Sequence, residues 1–86
     1  MTTVVNKRLE PFDVYIGRPS IWGNPYVIGP DGTREEVIDK YERYLKIFRP
    51  DLVLRAKTEL KDKRLGCFCK PLPCHGDVLA KILNES

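Results

Sequence analysis

The sequence predicts an α/β domain: a small mixed or mainly parallel sheet of about three to four short strands with three helices, in two layers or a small three-layer stack. Three observations predict it. Short β-branched and aromatic runs lie near the N-terminus, at Val4-Val5 and Val14-Tyr15-Ile16. Residues 33–48 repeat apolar side chains at helical spacing. The stretch RLGCFCKPLPCHGDVLAKIL, residues 64–83, reads as a strand, a proline-stiffened turn and a helix.

Taken in order, residues 3–7 form a first strand, and Pro11 ends the loop that follows. Residues 14–16 form a second, closed by Gly17. The two either pair as a hairpin or lie parallel with a third strand between them. Residues 17–32, GRPSIWGNPYVIGPDG, hold four of the six glycines and three of the seven prolines. A loop this long in a small domain is functional or disordered. Ile21, Trp22, Tyr26, Val27 and Ile28 carry too much apolar surface for disorder. An ordered loop is therefore expected, with a short strand at 26–28 and a turn at Pro30-Asp31-Gly32.

Thr33 and Glu36 have capping-box spacing, and Val37, Ile38, Tyr41, Tyr44, Leu45 and Phe48 form one apolar stripe. Pro50 ends this helix. Residues 51–60 form a shorter helix that buries Leu52, Val53, Ala56 and Leu60. A charged connector, residues 61–64, leads into the strand at 65–69. The last helix opens near Cys74 and buries Val78, Leu79, Ile82 and Leu83.

Composition bounds the function. The chain has 86 residues, enough for a single domain over 1–86 with one modest core. No apolar run approaches the roughly 20 residues of a membrane span. The N-terminus carries no hydrophobic signal region, so secretion is not expected. Three cysteines cannot all pair within one chain, and they read as reduced thiols or metal ligands in the cytoplasm. A net charge of +3 suits an anionic ligand such as a nucleotide and gives no independent argument for nucleic acid.

The chemistry concentrates at two places. In a strand running to 69, Cys67 and Cys69 share one face and Phe68 takes the other. Cys74 and His75 follow the turn at 70–73, where a helix N-terminus favours anions and thiolates. Cys74 then reads as an activated thiolate and His75 as its acid/base partner. Asp77 either orients His75 or a ligand, or is a first-turn acid favouring the helix dipole. A second reading makes Cys67, Cys69, Cys74 and His75 a zinc set, although C-x-C-x4-C-H is not a usual knuckle spacing. A third gives the three thiolates an iron–sulfur cluster. Cys67 alone also fits a small buried hydrophobe.

The loop after the second strand supplies the other cluster. Arg18 suits a phosphate or carboxylate clamp, Ser20 and Asn24 offer hydrogen bonds, and Trp22 offers a stacking surface or core packing. Gly17 places this loop at the strand end. Tyr41 and Tyr44 read as core.

These residues carry a resemblance. Gly17, Arg18, Ser20, Trp22, Gly23, Asn24 and Pro25 match G-R-x-S-x-W-G-N-P. Cys67, Cys69, Pro71, Pro73, Cys74, His75, Gly76 and Asp77 match C-x-C-x-P-x-P-C-H-G-D. The chain thus resembles the DUF4326 family, a domain of unknown function of bacteria, archaea and phages, over nearly its whole length. The terminal motif is more weakly similar to part of the DUF488 family. The resemblance implies an α/β fold and one site built from both motifs, with no established reaction. The expected function is a pocket that binds or acts on a nucleotide- or nucleobase-like anion through Cys74 and His75. The alternatives are a zinc-binding interaction module and a phage or mobile-element accessory protein that binds a partner through helix 33–48.

Overall fold

The computed structural model describes residues 1–70 and 72–85. Its central strand is the most buried one. β3 (Arg64–Cys67) buries Leu65, Gly66 and Cys67. β1 (Thr3–Asn6) and β2 (Val14–Tyr15) flank it, both parallel, in the order β1-β3-β2. Thr3 pairs with Arg64 and Asn6 with Cys67, while Val14 pairs with Leu65 and Tyr15 with Gly66. Of the two arrangements the sequence left open, the parallel one is found.

The connection between β1 and β2, residues 7–13, must cross the central strand. It lies over Gly66, where an added Cβ would stand 2.6 Å from the Phe12 ring. The pleat turns Leu65 and Cys67 to the opposite face. There they join the core with Ile16, Tyr41, Leu45, Leu79 and Leu83. The sheet thus carries the helical core on one face and a thin crossover on the other.

α1 (Arg34–Arg43) starts at a complete capping box. The Glu36 N–H donates to Thr33 Oγ1 at 3.2 Å, and the Thr33 N–H donates to Glu36 Oε1 at 2.9 Å. The expected helix to residue 48 is not uniform. It winds into a π turn over Tyr44–Phe48, closed by the Arg49 N–H on the Tyr44 carbonyl at 3.0 Å. The wider turn breaks the stripe's register. Val37, Tyr41 and Leu45 are buried, but Phe48 is 68% exposed. α2 (Pro50–Glu59) starts on the proline, which fits a first-turn position. It buries Leu52 and Ala56, and Leu60 lies just beyond it in the core. α3 (His75–Glu85) buries Val78, Leu79 and Leu83. Gly76 lets it lie close on the sheet: a Cβ there would meet Ile16 Cδ1 at 2.6 Å and Val4 Cγ1 at 3.0 Å.

Two other expectations differ. No strand forms at 26–28; that segment folds into a turn in which Val27 N–H donates to Asp31 Oδ2 at 2.7 Å, with one bridge between Gly29 and Gly32. β3 ends at Cys67 rather than at 69. Its neighbour β1 runs out at Asn6, so the ladder has no partner further on. Among the described residues, no helix is long and apolar enough to cross a membrane.

Candidate functional site

All three strands are parallel, so their carboxyl ends share one edge, where open α/β sheets hold their ligands. Two loops meet there. One follows β2 and carries Gly17 and Arg18; the other joins β3 to α3 and carries Phe68, Cys69 and Cys74. A cavity of about 330 Å³ opens between them, lined by Tyr15, Gly17, Arg18, Asn24, Cys67, Phe68, Cys69 and His75. A smaller one of about 90 Å³ shares Arg18, Asn24, Cys69 and His75 with it, and adds Tyr26, Arg34 and Cys74.

His75 links the loops. Its Nε2 lies 2.7 Å from the Ile16 carbonyl. A carbonyl only accepts, so Nε2 carries the proton and the neutral ring keeps its lone pair on Nδ1. Burial pushes the His75 pKa below its ordinary value. The Ile16 bond and Asp77 oppose that push, and Arg18 adds to it. The Tyr41 ring meets His75 edge-on at 5.1 Å, while its hydroxyl donates to the Trp22 carbonyl at 2.7 Å. One tyrosine of α1 therefore braces both the imidazole and the loop after β2.

The sulfurs form a pair. Cys67 and Cys74 Sγ lie 3.2 Å apart, both thiols buried. Hydrogen bonding from Cys74 lowers the Cys67 pKa to about 6. Burial opposes this, and the Cys69 and Lys70 backbone and the Lys70 charge assist it. Cys74 is pushed up by the same sharing and by burial, despite the Gly76 N–H that its sulfur accepts at 3.3 Å. The two thiols therefore share one hydrogen bond, which lowers the Cys67 pKa and raises that of Cys74. Cys69 stands apart at the cavity wall, half-buried.

Asp77 completes the helix start. Its Oδ2 accepts the Cys74 N–H at 3.0 Å and its Oδ1 accepts from Lys70 Nζ. Together with the Gly76 N–H on Cys74 Sγ, it caps the first turn of α3 from both sides. Burial works against the Lys70 charge, but Asp77 and the two thiols outweigh it and raise the Lys70 pKa. No hydrogen bond joins Asp77 to His75 among the described residues; its influence there is through charge.

The loop residues divide. Arg18 reaches both cavities, and its guanidinium makes no hydrogen bond or ion pair among the described residues. Gly17 leaves room for the Tyr15 ring, whose hydroxyl would lie 2.2 Å from an added Cβ and donates to the Arg18 carbonyl at 3.0 Å. Asn24 reaches both cavities too, but its amide is committed: Nδ2 donates to the Val37 carbonyl at 3.1 Å and Oδ1 accepts the Tyr26 N–H at 2.9 Å. Ser20 Oγ accepts the Trp22 N–H at 3.3 Å. Trp22 lies in the core, 4% exposed, and neither Ser20 nor Trp22 lines either cavity. These two shape the loop.

Sequence reasoning missed Tyr15, Phe68, Tyr26 and Arg34 as lining residues. Phe68 joins the cavity because β3 stops one residue before it, which also undoes the expected opposition of Phe68 to Cys67 and Cys69. Its place inside the Cys-x-Cys motif was the available signal. Arg34, just past the Thr33 cap, donates Nη1 to the Pro73 carbonyl at 3.2 Å. Pro71 lies outside the described residues. Among those described, no group of three or more His, Cys, Asp or Glu is arranged to hold a metal ion.

The two motif loops, brought together at one edge, coincide with a family match that runs over residues 3–85. The chain belongs to the DUF4326 family. That family is a domain of unknown function. The chain is 43% identical over 84 residues to an uncharacterised 12.4 kDa protein in the nrdA-td intergenic region of Enterobacteria phage T4, covering 95% of this chain and 77% of that protein. It is 36% identical over 95 aligned positions to an uncharacterised protein of Acanthamoeba polyphaga mimivirus, covering 90% and 71% respectively. No solved structure matches it.

Proposed function

We propose that this DUF4326 domain binds a small anionic ligand of nucleotide or nucleobase type between its two motif loops. The observation that carries the reading is Arg18: a guanidinium without a protein partner among the described residues, on the same cavity wall as His75 and Cys67. A planar, permanently charged fork of this kind suits phosphate or carboxylate. Arg34 adds a second positive charge beside the smaller cavity. Tyr15 and Phe68 supply aromatic wall for a flat ring. A volume of about 330 Å³ lies at the lower end of small-molecule sites.

In this reading His75 accepts a ligand proton or hydrogen bond through Nδ1, and the Cys67–Cys74 pair is the group able to act on what is bound. Asp77 holds the Cys74 end of that pair in place. Calorimetric titration with adenosine 5′-monophosphate and with inorganic phosphate tests the pocket. Arg18→Ala is expected to weaken nucleotide binding about tenfold or more, the worth of one charge-assisted bond. Absence of nucleotide binding, or binding indifferent to Arg18→Ala, overturns the reading.

A further inference from the structure

Two cations stand just outside the cavity and contribute to neither wall. Lys7 Nζ lies 4.5 Å from the Tyr15 ring centroid and 4.7 Å from that of Phe68. The Arg8 guanidinium lies 5.0 Å from the Phe68 ring. Both residues follow β1 at the carboxyl edge of the sheet, while the two rings also line the larger cavity. Basic rim and pocket are therefore one continuous surface.

Neither cation has an acidic partner among the described residues. The acids on the same connection are turned elsewhere: Glu10 Oε1 accepts from Arg64 Nη2 at 3.0 Å, and Asp13 Oδ2 accepts the Arg64 N–H at 2.8 Å. Lys70, the next cation along this edge, is neutralised by Asp77. Contact with an aromatic face holds Lys7 and Arg8 in place without cancelling their charge. Phe68 stays 48% exposed between them and the pocket.

We infer that the pocket receives one nucleotide of a longer single strand, whose neighbouring phosphates and bases run over Phe68 to Lys7 and Arg8. This rests on the nucleotide reading of the pocket and names its substrate class. A cavity of about 330 Å³ is filled by one nucleotide-sized group. Charges beyond it have nothing to meet on a mononucleotide, whereas a polyanionic strand supplies a phosphate for each. Exposed aromatics interleaved with cations are the ordinary platform for single strands, because every base has a face to stack. The chain's net charge is only +3, so the attraction is local to this edge.

Fluorescence anisotropy with labelled oligothymidylate and oligouridylate tests this, beside calorimetry with adenosine 5′-monophosphate. The oligonucleotide is expected to bind at least about tenfold tighter than the mononucleotide. Its log affinity should fall with log salt at a slope near −3, from about four phosphate contacts at roughly 0.7 each. Lys7→Gln with Arg8→Gln should weaken the oligonucleotide about tenfold and leave the mononucleotide unchanged. Lys7→Arg with Arg8→Lys should restore it, which separates lost charge from lost folding. Phe68→Ala should weaken the strand by about tenfold through lost stacking. The two oligomers distinguish DNA from RNA. A strand that binds no tighter than the mononucleotide, or ignores the rim substitutions, overturns the inference and leaves the pocket reading intact. Strand binding that depends on the rim but ignores Arg18→Ala overturns the pocket reading instead. If neither probe binds, both fall.

Discussion

Two buried sulfurs lie 3.2 Å apart, close enough for one thiol to donate its proton to the other. The sequence pointed to Cys74 as the thiolate because it opens a helix. In the fold the Cys67 pKa is lowered, first by its hydrogen bond with Cys74 and then by the Cys69 and Lys70 backbone and the Lys70 charge, while the Gly76 N–H acts in the same direction on Cys74. The Cys69 and Lys70 contacts come from where β3 ends, which no residue pattern encodes. Stability should follow these shifts. The folded Cys67 loses its proton at about 6 and the unfolded one near 9.0, so between those values only the unfolded chain holds it. Stability therefore rises with pH across that window. His75 acts in the same direction lower down. Its pKa is lowered from 6.5, so as pH falls through 6.5 the unfolded imidazole takes up a proton that the folded one resists. Cys74, raised from 9.0, reverses the slope above that pH. Urea unfolding measured from below pH 6 to pH 9 should show a climbing midpoint. Cys67→Ala should flatten the upper part of the climb and His75→Gln the part below 6.5. A wild-type curve without slope between 6 and 9 would disprove the lowered Cys67 pKa.

Elements with a strong local rule were legible and those set by tertiary packing were not. Thr33 and Glu36 announce the start of α1, and Pro50, read as the stop of the first helix, is the first residue of α2. The π turn at Tyr44–Phe48 has no such mark. It is fixed by how Tyr44 and Leu45 pack, and it turns Phe48 outward although the helical period places that residue inward. The loop after β2 gave a similar split: Arg18 reaches the cavity, while Trp22, which offered either stacking or packing, packs. Gly76 shows packing and propensity in direct conflict. Alanine in place of helical glycine is favourable by about 1 kcal/mol on propensity. A Cβ at this position would stand 2.6 Å from Ile16 Cδ1 and 3.0 Å from Val4 Cγ1. Overpacking of that kind costs about 1–3 kcal/mol. Gly76→Ala is therefore expected to destabilise the fold, read as a lowered urea midpoint with unchanged slope. Because Ile16 is also the residue whose carbonyl holds His75, the same substitution should disturb the imidazole resonances. A stabilised Gly76→Ala protein would show that α3 lies further from the sheet.

At the scale of the whole molecule, strand order was the least legible feature. It depends on pairing between residues far apart, such as Val4 with Leu65, and on Phe12 finding a flat place at Gly66. A second long-range device was also invisible, since its members are ordinary polar residues. Thr2 is 2% exposed and fully hydrogen-bonded. Its N–H donates to Asn84 Oδ1 at 3.0 Å, its carbonyl accepts from Asn84 Nδ2 at 2.9 Å, and its Oγ1 donates to the Leu60 carbonyl at 3.3 Å and accepts the Asp62 N–H at 2.9 Å. The start of β1, the turn after α2 and the end of α3 are thus closed by one knot, at the strand end opposite to the cavities. Asn84→Ala leaves both Thr2 backbone groups without their partners and should cost about 1–3 kcal/mol. Thr2→Val, close in shape but without the hydroxyl's two bonds, should cost a similar amount. The two substitutions break different bonds of one knot, so their effects should not add: a double-mutant cycle in urea is expected to show coupling of about 0.5 kcal/mol or more. Ligand affinity at the far edge should stay unchanged in the single variants, because neither residue touches the loops after β2 and β3. Strict additivity would mean that the three segments are held by the apolar core alone, with Thr2 and Asn84 as passengers.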